Sequence, residues 1–227
     1  MKGSLYGVGV GPGDPDLITV KAIKVIEKCD YIAVPQSRSG RQVALDICKE
    51  YLDGKIIVDV AAPMTYDEGK IDRVYSENAD NLSEILEKGH DIAFLTLGDP
   101  SVYSTYIYME KIIKGMGYST QMVPGITSFC AAAAAADISL CERDQILQIV
   151  PASYDDMQDK SIFKGNTIFM KSGKKLPGLI ENIKANGKLE NCILVENVGM
   201  ENQRIITDLN NLPDDIGYFS LVIVKQI

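Results

Sequence analysis

Short apolar runs alternate along the first half of the chain with longer segments whose apolar residues recur every three or four positions. Residues 4–10, 31–34, 56–60, 91–96 and 120–123 read as strands, and residues 17–28, 41–51, 70–88 and 106–114 as the helices between and after them. The run Asp91-Ile92-Ala93-Phe94-Leu95-Thr96 is apolar without alternation, the pattern of a parallel strand buried on both faces. In the first helix Leu17, Val20, Ala22, Ile23, Val25 and Ile26 are expected on the buried side, opposite Lys21, Lys24 and Lys28. Asp14 is placed to cap that helix, with Pro15 at its first position. The run of alanines at 131–136 predicts a smooth helix able to pack closely.

After about residue 140 the pattern changes. Residues 145–150, 166–171, 191–197, 203–207 and 218–224 read as strands, with helical stretches near 155–163 and 175–185. Three of these strands come late with only turns between them, which predicts hairpins and a mixed sheet. The expected fold is α/β in two domains: residues 1–140 with a mostly parallel sheet flanked by helices, and residues 141–227 with a mixed sheet and helices.

Composition narrows the function. The net charge is −8 and no basic block occurs, which argues against nucleic-acid or anionic-membrane partners. Apolar runs fall short of the roughly 20 residues a membrane helix needs. The strand pattern begins by Ser4, so no signal peptide is expected. The five cysteines, Cys29, Cys48, Cys130, Cys141 and Cys192, are odd in number and form no C-x-x-C pair, the usage of a reduced compartment without a zinc site. His90 is the single histidine and reads as structural.

Three predicted strand ends carry glycine and proline: Gly11-Pro12-Gly13-Asp14, Leu97-Gly98-Asp99-Pro100 and Val123-Pro124-Gly125-Ile126-Thr127-Ser128. Each turn alone is compatible with an ordinary strand–helix connection. Together they converge on one sheet edge, where open α/β sheets bind ligands. The first turn is not a dinucleotide fingerprint: counted from Gly7 the sixth position is Pro12, and counted from Gly9 it is Asp14. No Gly-Lys-Ser/Thr follows, so it is not a phosphate-binding Walker loop.

With these stretches the chain resembles the tetrapyrrole (corrin/porphyrin) methylases. The likeness rests on Val8-Gly9-Val10-Gly11-Pro12-Gly13-Asp14, the Gly98-Asp99-Pro100 turn, Pro124-Gly125-Ile126-Thr127-Ser128, the later Thr167-Ile168-Phe169-Met170-Lys171-Ser172-Gly173, and Val195-Glu196-Asn197. Within the family, residues 5–15 and 96–105 are most similar to methyltransferases that act at C-20 of precorrin-2 or cobalt-factor II in cobalamin synthesis. The resemblance implies S-adenosylmethionine as methyl donor, a ligand cleft between two domains, no protein-bound metal, and a cytoplasmic homodimer. It implies cofactor contacts at Pro12, Leu97, Gly98, Asp99, Val102, Thr127, Ser128, Ser172 and Leu194; at 172 the family commonly has methionine before the glycine. Asp14, Tyr103 and Tyr106 are candidates by location for taking the final proton, and Arg38, Arg41 and Lys171 for the substrate's carboxylates. Asp99 is open to two readings, ligand acceptor or helix cap. Methylation of uroporphyrinogen III, a diphthine synthase-like protein substrate, and a non-catalytic sensor of the methyl donor are the alternatives.

Overall fold

The structure, a computed structural model, describes residues 1–36, 40–63, 67–151 and 164–226. The helical stretch expected near 155–163 lies outside the described residues. The chain divides into two compact units, Met1–Thr127 and Ser128–Ile227. The division falls at the end of the third glycine-proline turn, and the alanine-rich helix goes with the second unit.

In the first unit, among the described residues, β1 (Ser4–Gly9), β2 (Tyr31–Gln36), β3 (Ile56–Ala61), β4 (Ile92–Thr96) and β5 (Ser119–Val123) form a parallel sheet in the order β3-β2-β4-β1-β5. Every residue of β4 is buried, as its unbroken apolar run predicts. Its side chains alternate between two cores. Ala93 and Leu95 join Val8, Val10 and Ile32 under α1 (Val20–Lys28) and α2 (Gly40–Ile47). Ile92 and Phe94 join Leu5 and Val60 under α3 (Glu68–Glu87) and α4 (Tyr106–Gly115).

The first helix starts later than the pattern predicts. Asp14 accepts from the Asp16 N–H (2.9 Å) and caps a separate 3-10 turn, Pro15–Leu17, with Pro15 at its first position. The α-helix begins at Val20, where Thr19 Oγ1 accepts from the Ala22 N–H (3.1 Å). That shift leaves Val20 67% exposed rather than buried.

In the second unit α5 (Ser128–Ala135) precedes β6 (Leu147–Pro151), β7 (Asn166–Met170), α6 (Leu176–Ala185), β8 (Cys192–Glu196), β9 (Arg204–Ile206) and β10 (Ser220–Val224). The sheet is mixed, in the order β6-β7-β10-β8-β9. The expected hairpin exists between β8 and β9, whereas β10 inserts between β7 and β8, antiparallel to both. Leu176, Leu179 and Ile183 of α6 cover Phe169, Leu194 and Val222. No helix among the described residues is long and apolar enough to cross a membrane.

Candidate active site

The order of the first sheet locates its crevice. β1 and β4 are neighbours, yet the chain leaves β1 toward β2 on one side and leaves β4 toward β5 on the other. Ligands of open parallel sheets bind outside the carboxyl ends of two such strands. Here those ends are Gly11 and Gly98, and they pair as an isolated antiparallel bridge. The Gly98 N–H donates to Gly11 O at 2.7 Å and the Gly11 N–H to Gly98 O at 3.3 Å. Both residues have positive φ, 86° and 76°, which glycine adopts without the steric cost of a side chain.

The third turn closes on the same point. A Cβ on Gly9 would lie 2.6 Å from the Gly125 nitrogen and 2.7 Å from Gly98 O; one on Gly125 would collide with Gly98 O and lie 2.7 Å from the Gly9 carbonyl carbon. Three backbones therefore meet without room for a methyl group. Asp99 ties them together: its Oδ1 accepts from the Ser101 N–H (2.8 Å) and hydroxyl, and its Oδ2 accepts from the Gly125 N–H (3.0 Å). Asp99 thus serves as a clamp between the β4 and β5 turns, a role that neither of its two sequence readings contained.

Among the described residues, two buried hydroxyls on this unit lack a hydrogen-bond partner, Thr96 Oγ1 at the end of β4 and Thr127 Oγ1 after the β5 turn. Native proteins seldom leave such groups orphaned, and ligand sites are a recognised exception. Of the other expected contacts, Pro12 is buried, Leu97 is half-buried against the α1 face, and Val102 and Ser128 are half-buried.

The three candidate bases separate. Asp14 is half-buried and caps its own turn. Tyr103 stands 45% exposed at the end of the β4 turn with φ 48°. Tyr106 is not available: its ring is fully buried, tilted against Phe94 at 5.7 Å, and its hydroxyl donates to Gln121 O at 3.2 Å. Burial holds its phenol above the ordinary range. The ring occupies the space above Gly7, where a Cβ would lie 2.5 Å from its Cδ1. Tyr106 is therefore a core residue, and the reason a glycine stands in mid-strand.

Arg38 lies outside the described residues, and Arg41 belongs to the first turn of α2 with its side chain outside them. His90 is at the amino end of β4, 3.8 Å from Asp30 Oδ2 and tilted over Tyr31. Burial pushes the thiols of Cys29, Cys48 and Cys192 up to about 12, so at neutral pH they are protonated core groups. No group of three or more potential metal ligands occurs among the described residues.

In the second unit the carboxyl end of β7 carries Lys171 and Ser172. Lys171 has φ 59°, and desolvation lowers its ammonium pKa. Ser172 is 1% exposed with its Oγ unpartnered among the described residues. Leu194 lies within β8. It is fully buried in the α6 core and sits mid-strand between Val222 and Ile206, so its side chain packs and its backbone lies between two paired strands. Sequence reasoning quoted Glu196 but missed its role. Glu196, 2% exposed, accepts from Arg204 Nε (2.6 Å) and the Gly217 N–H (2.5 Å), while Arg204 Nη1 reaches Asp215 at 2.9 Å. The signal that could have found it is the acid closing an apolar strand, with Arg204 directly opposite once the hairpin is formed.

The chain is similar in sequence and in fold to known proteins. A Methanocaldococcus jannaschii protein described as a probable cobalt-precorrin-2 C(20)-methyltransferase is 37% identical over 226 residues, covering 98% of this chain and 96% of its own. A solved cobalt precorrin-4 methyltransferase of cobalamin biosynthesis superposes with a TM-score of 0.80 at 23% identity, over 98% of this chain and 94% of that one. Uroporphyrin-III C-methyltransferase from Thermus thermophilus, solved in complex with S-adenosyl homocysteine, superposes with a TM-score of 0.73 at 18% identity, over 99% and 98%. These two likenesses are of fold. The family model for tetrapyrrole (corrin/porphyrin) methylases matches residues 4–213. With that match and the archaeal relative, the chain belongs to the tetrapyrrole (corrin/porphyrin) methylases.

Proposed function

We propose that this chain is an S-adenosylmethionine-dependent C-methyltransferase acting at C-20 of precorrin-2 or of its cobalt-bearing counterpart, cobalt-factor II, on the route to cobalamin. The observation that carries the reading is the 37% identity, over nearly the whole length of both chains, to the relative described as a C(20)-methyltransferase. The strand-end geometry supports it. Adenosine needs close backbone approach and neutral hydrogen-bonding groups, and the first unit offers glycine turns with the orphaned Thr127 and Thr96 hydroxyls.

Bound S-adenosylmethionine supplies an electrophilic methyl group on a sulfonium sulfur. The residues of the first unit proposed to hold it are Pro12, Leu97, Gly98, Asp99, Val102 and Thr127. Asp99 Oδ2 keeps a second lone pair for a ligand hydroxyl after accepting from Gly125. For the macrocycle's carboxylates the proposed cations of the first unit are Arg38 and Arg41. The protein's task is chiefly orientation, which contributes on the order of 7–11 kcal/mol when reacting atoms are held in line. The proton that leaves the methylated carbon needs only a modest acceptor, and Asp14 on the β1 turn is the carboxylate proposed for it. The reading carries a homodimer working in the cytoplasm.

Thr127→Val separates ligand binding from folding. Its hydroxyl has no protein partner among the described residues, so the isosteric valine should fold at least as stably. The affinity for S-adenosylmethionine should fall several-fold, the worth of one hydrogen bond of about 0.5–1.5 kcal/mol. Calorimetric titration beside thermal melts reads both; unchanged affinity would remove Thr127 from the site.

The function itself is tested by anaerobic incubation with S-adenosylmethionine and either precorrin-2 or cobalt-factor II, followed by mass spectrometry. One added methyl group is expected, and the preferred macrocycle names the route. If the methyl donor binds and neither macrocycle gains a methyl group, the C-20 assignment fails.

A further inference from the structure

The loop after β4 holds a large aromatic in a conformation that its backbone disfavours. Tyr103 has φ 48°, inside the left-handed region, where a bulky L-residue is an outlier. The loop around it is pinned on both sides. Ser101 donates twice to Asp99 Oδ1, the Val102 N–H donates to Asp99 O at 3.2 Å, and the buried Ser104 hydroxyl donates to Pro100 O. These bonds over-determine the turn, so the strain at residue 103 persists instead of relaxing.

Three residues later Tyr106 is fully buried and fills the core, whereas Tyr103 remains 45% exposed. Glycine or asparagine would satisfy the same backbone at lower cost. A strained, half-exposed aromatic on a rigid loop, at the sheet's topological switch point, is suited to binding something planar. Aromatic faces stack in offset on other π-systems, with a gain beyond that of buried area. A loop fixed beforehand loses little entropy when it does so.

We propose that Tyr103 is the residue on which the conjugated face of the tetrapyrrole stacks, setting the height of the macrocycle above the β1 and β4 strand ends. This rests on the methyltransferase reading given above. It assigns Tyr103 a positioning role in place of the proton-accepting one, and it leaves the polar rim of the macrocycle free for cations elsewhere.

The test uses Tyr103→Phe, Tyr103→Ala and Tyr103→Gly in the full chain. Anaerobic absorbance titration with cobalt-factor II, in the presence of S-adenosyl homocysteine, measures macrocycle binding apart from turnover. Alanine and glycine should each weaken macrocycle binding, and raise its KM, about tenfold, with a much smaller change in S-adenosylmethionine affinity. Phenylalanine, which keeps the ring and loses the hydroxyl, should recover most of that loss. Glycine relaxes the strained φ, so a loss shared by Tyr103→Gly belongs to the missing ring rather than to a disturbed loop. The proposal is overturned if phenylalanine is as impaired as alanine, if alanine and glycine leave macrocycle binding unchanged, or if they weaken the methyl donor instead. Wild-type protein that binds the macrocycle without methylating it would sink the reaction assignment while the titrations still judge Tyr103. Wild-type protein that binds no macrocycle would sink both.

Discussion

Gly125→Ala is expected to abolish S-adenosylmethionine binding and to destabilise the first unit by about 1–3 kcal/mol, the usual cost of forcing atoms into a packed site. The added methyl group collides with Gly98 O and would lie 2.7 Å from the Gly9 carbonyl carbon, all backbone atoms of neighbouring strand ends. A flexible side chain can turn aside; a bridge of two glycines at positive φ cannot. The strand ends must part, and with them goes the Asp99 clamp on the Gly125 N–H. Gly115→Ala is the control, because nothing lies within 4 Å of its Cβ at the end of α4. Titration calorimetry and thermal melts compare the two. Wild-type affinity in Gly125→Ala would mean that the three turns do not form the binding site.

Tyr106→Ala is expected to cost about 3–5 kcal/mol of stability, as for other large aromatics truncated in a core. The cavity would open between Gly7, which has no side chain to fill it, and Phe94. Tyr106→Phe loses one hydrogen bond to Gln121 O, about 0.5–1.5 kcal/mol, and keeps the packing. Turnover in Tyr106→Phe should match that of the wild type. A large fall in its kcat without a matching fall in Tm would return Tyr106 to the list of catalytic residues.

Much of this architecture was legible because burial leaves a plain mark on the chain. The unbroken apolar run of β4 announces a central parallel strand, and the glycine-proline turns mark its crevice. What escaped depends on contacts distant in sequence. Gly7 carries no local sign of its role, yet it is small because the Tyr106 ring lies over it. Tyr106 was a candidate base by location alone, although it lies at the start of α4 with its ring in the core. Asp99 offered a choice between ligand and helix cap; a bond to Gly125, 26 residues away, could not be read from local spacing. The insertion of β10 between β7 and β8 is likewise invisible to period and turn length, since it rests on pairing between strands distant in sequence.

The central claim is methyl transfer to one particular carbon. The most direct measurement supplies S-adenosylmethionine carrying a carbon-13 methyl group, with cobalt-factor II or precorrin-2, and reads the product by nuclear magnetic resonance. The account predicts a single labelled methyl group, attached at C-20, appearing at the same rate as S-adenosyl homocysteine. A label on any other carbon, or donor bound with no label transferred to either macrocycle, would contradict it.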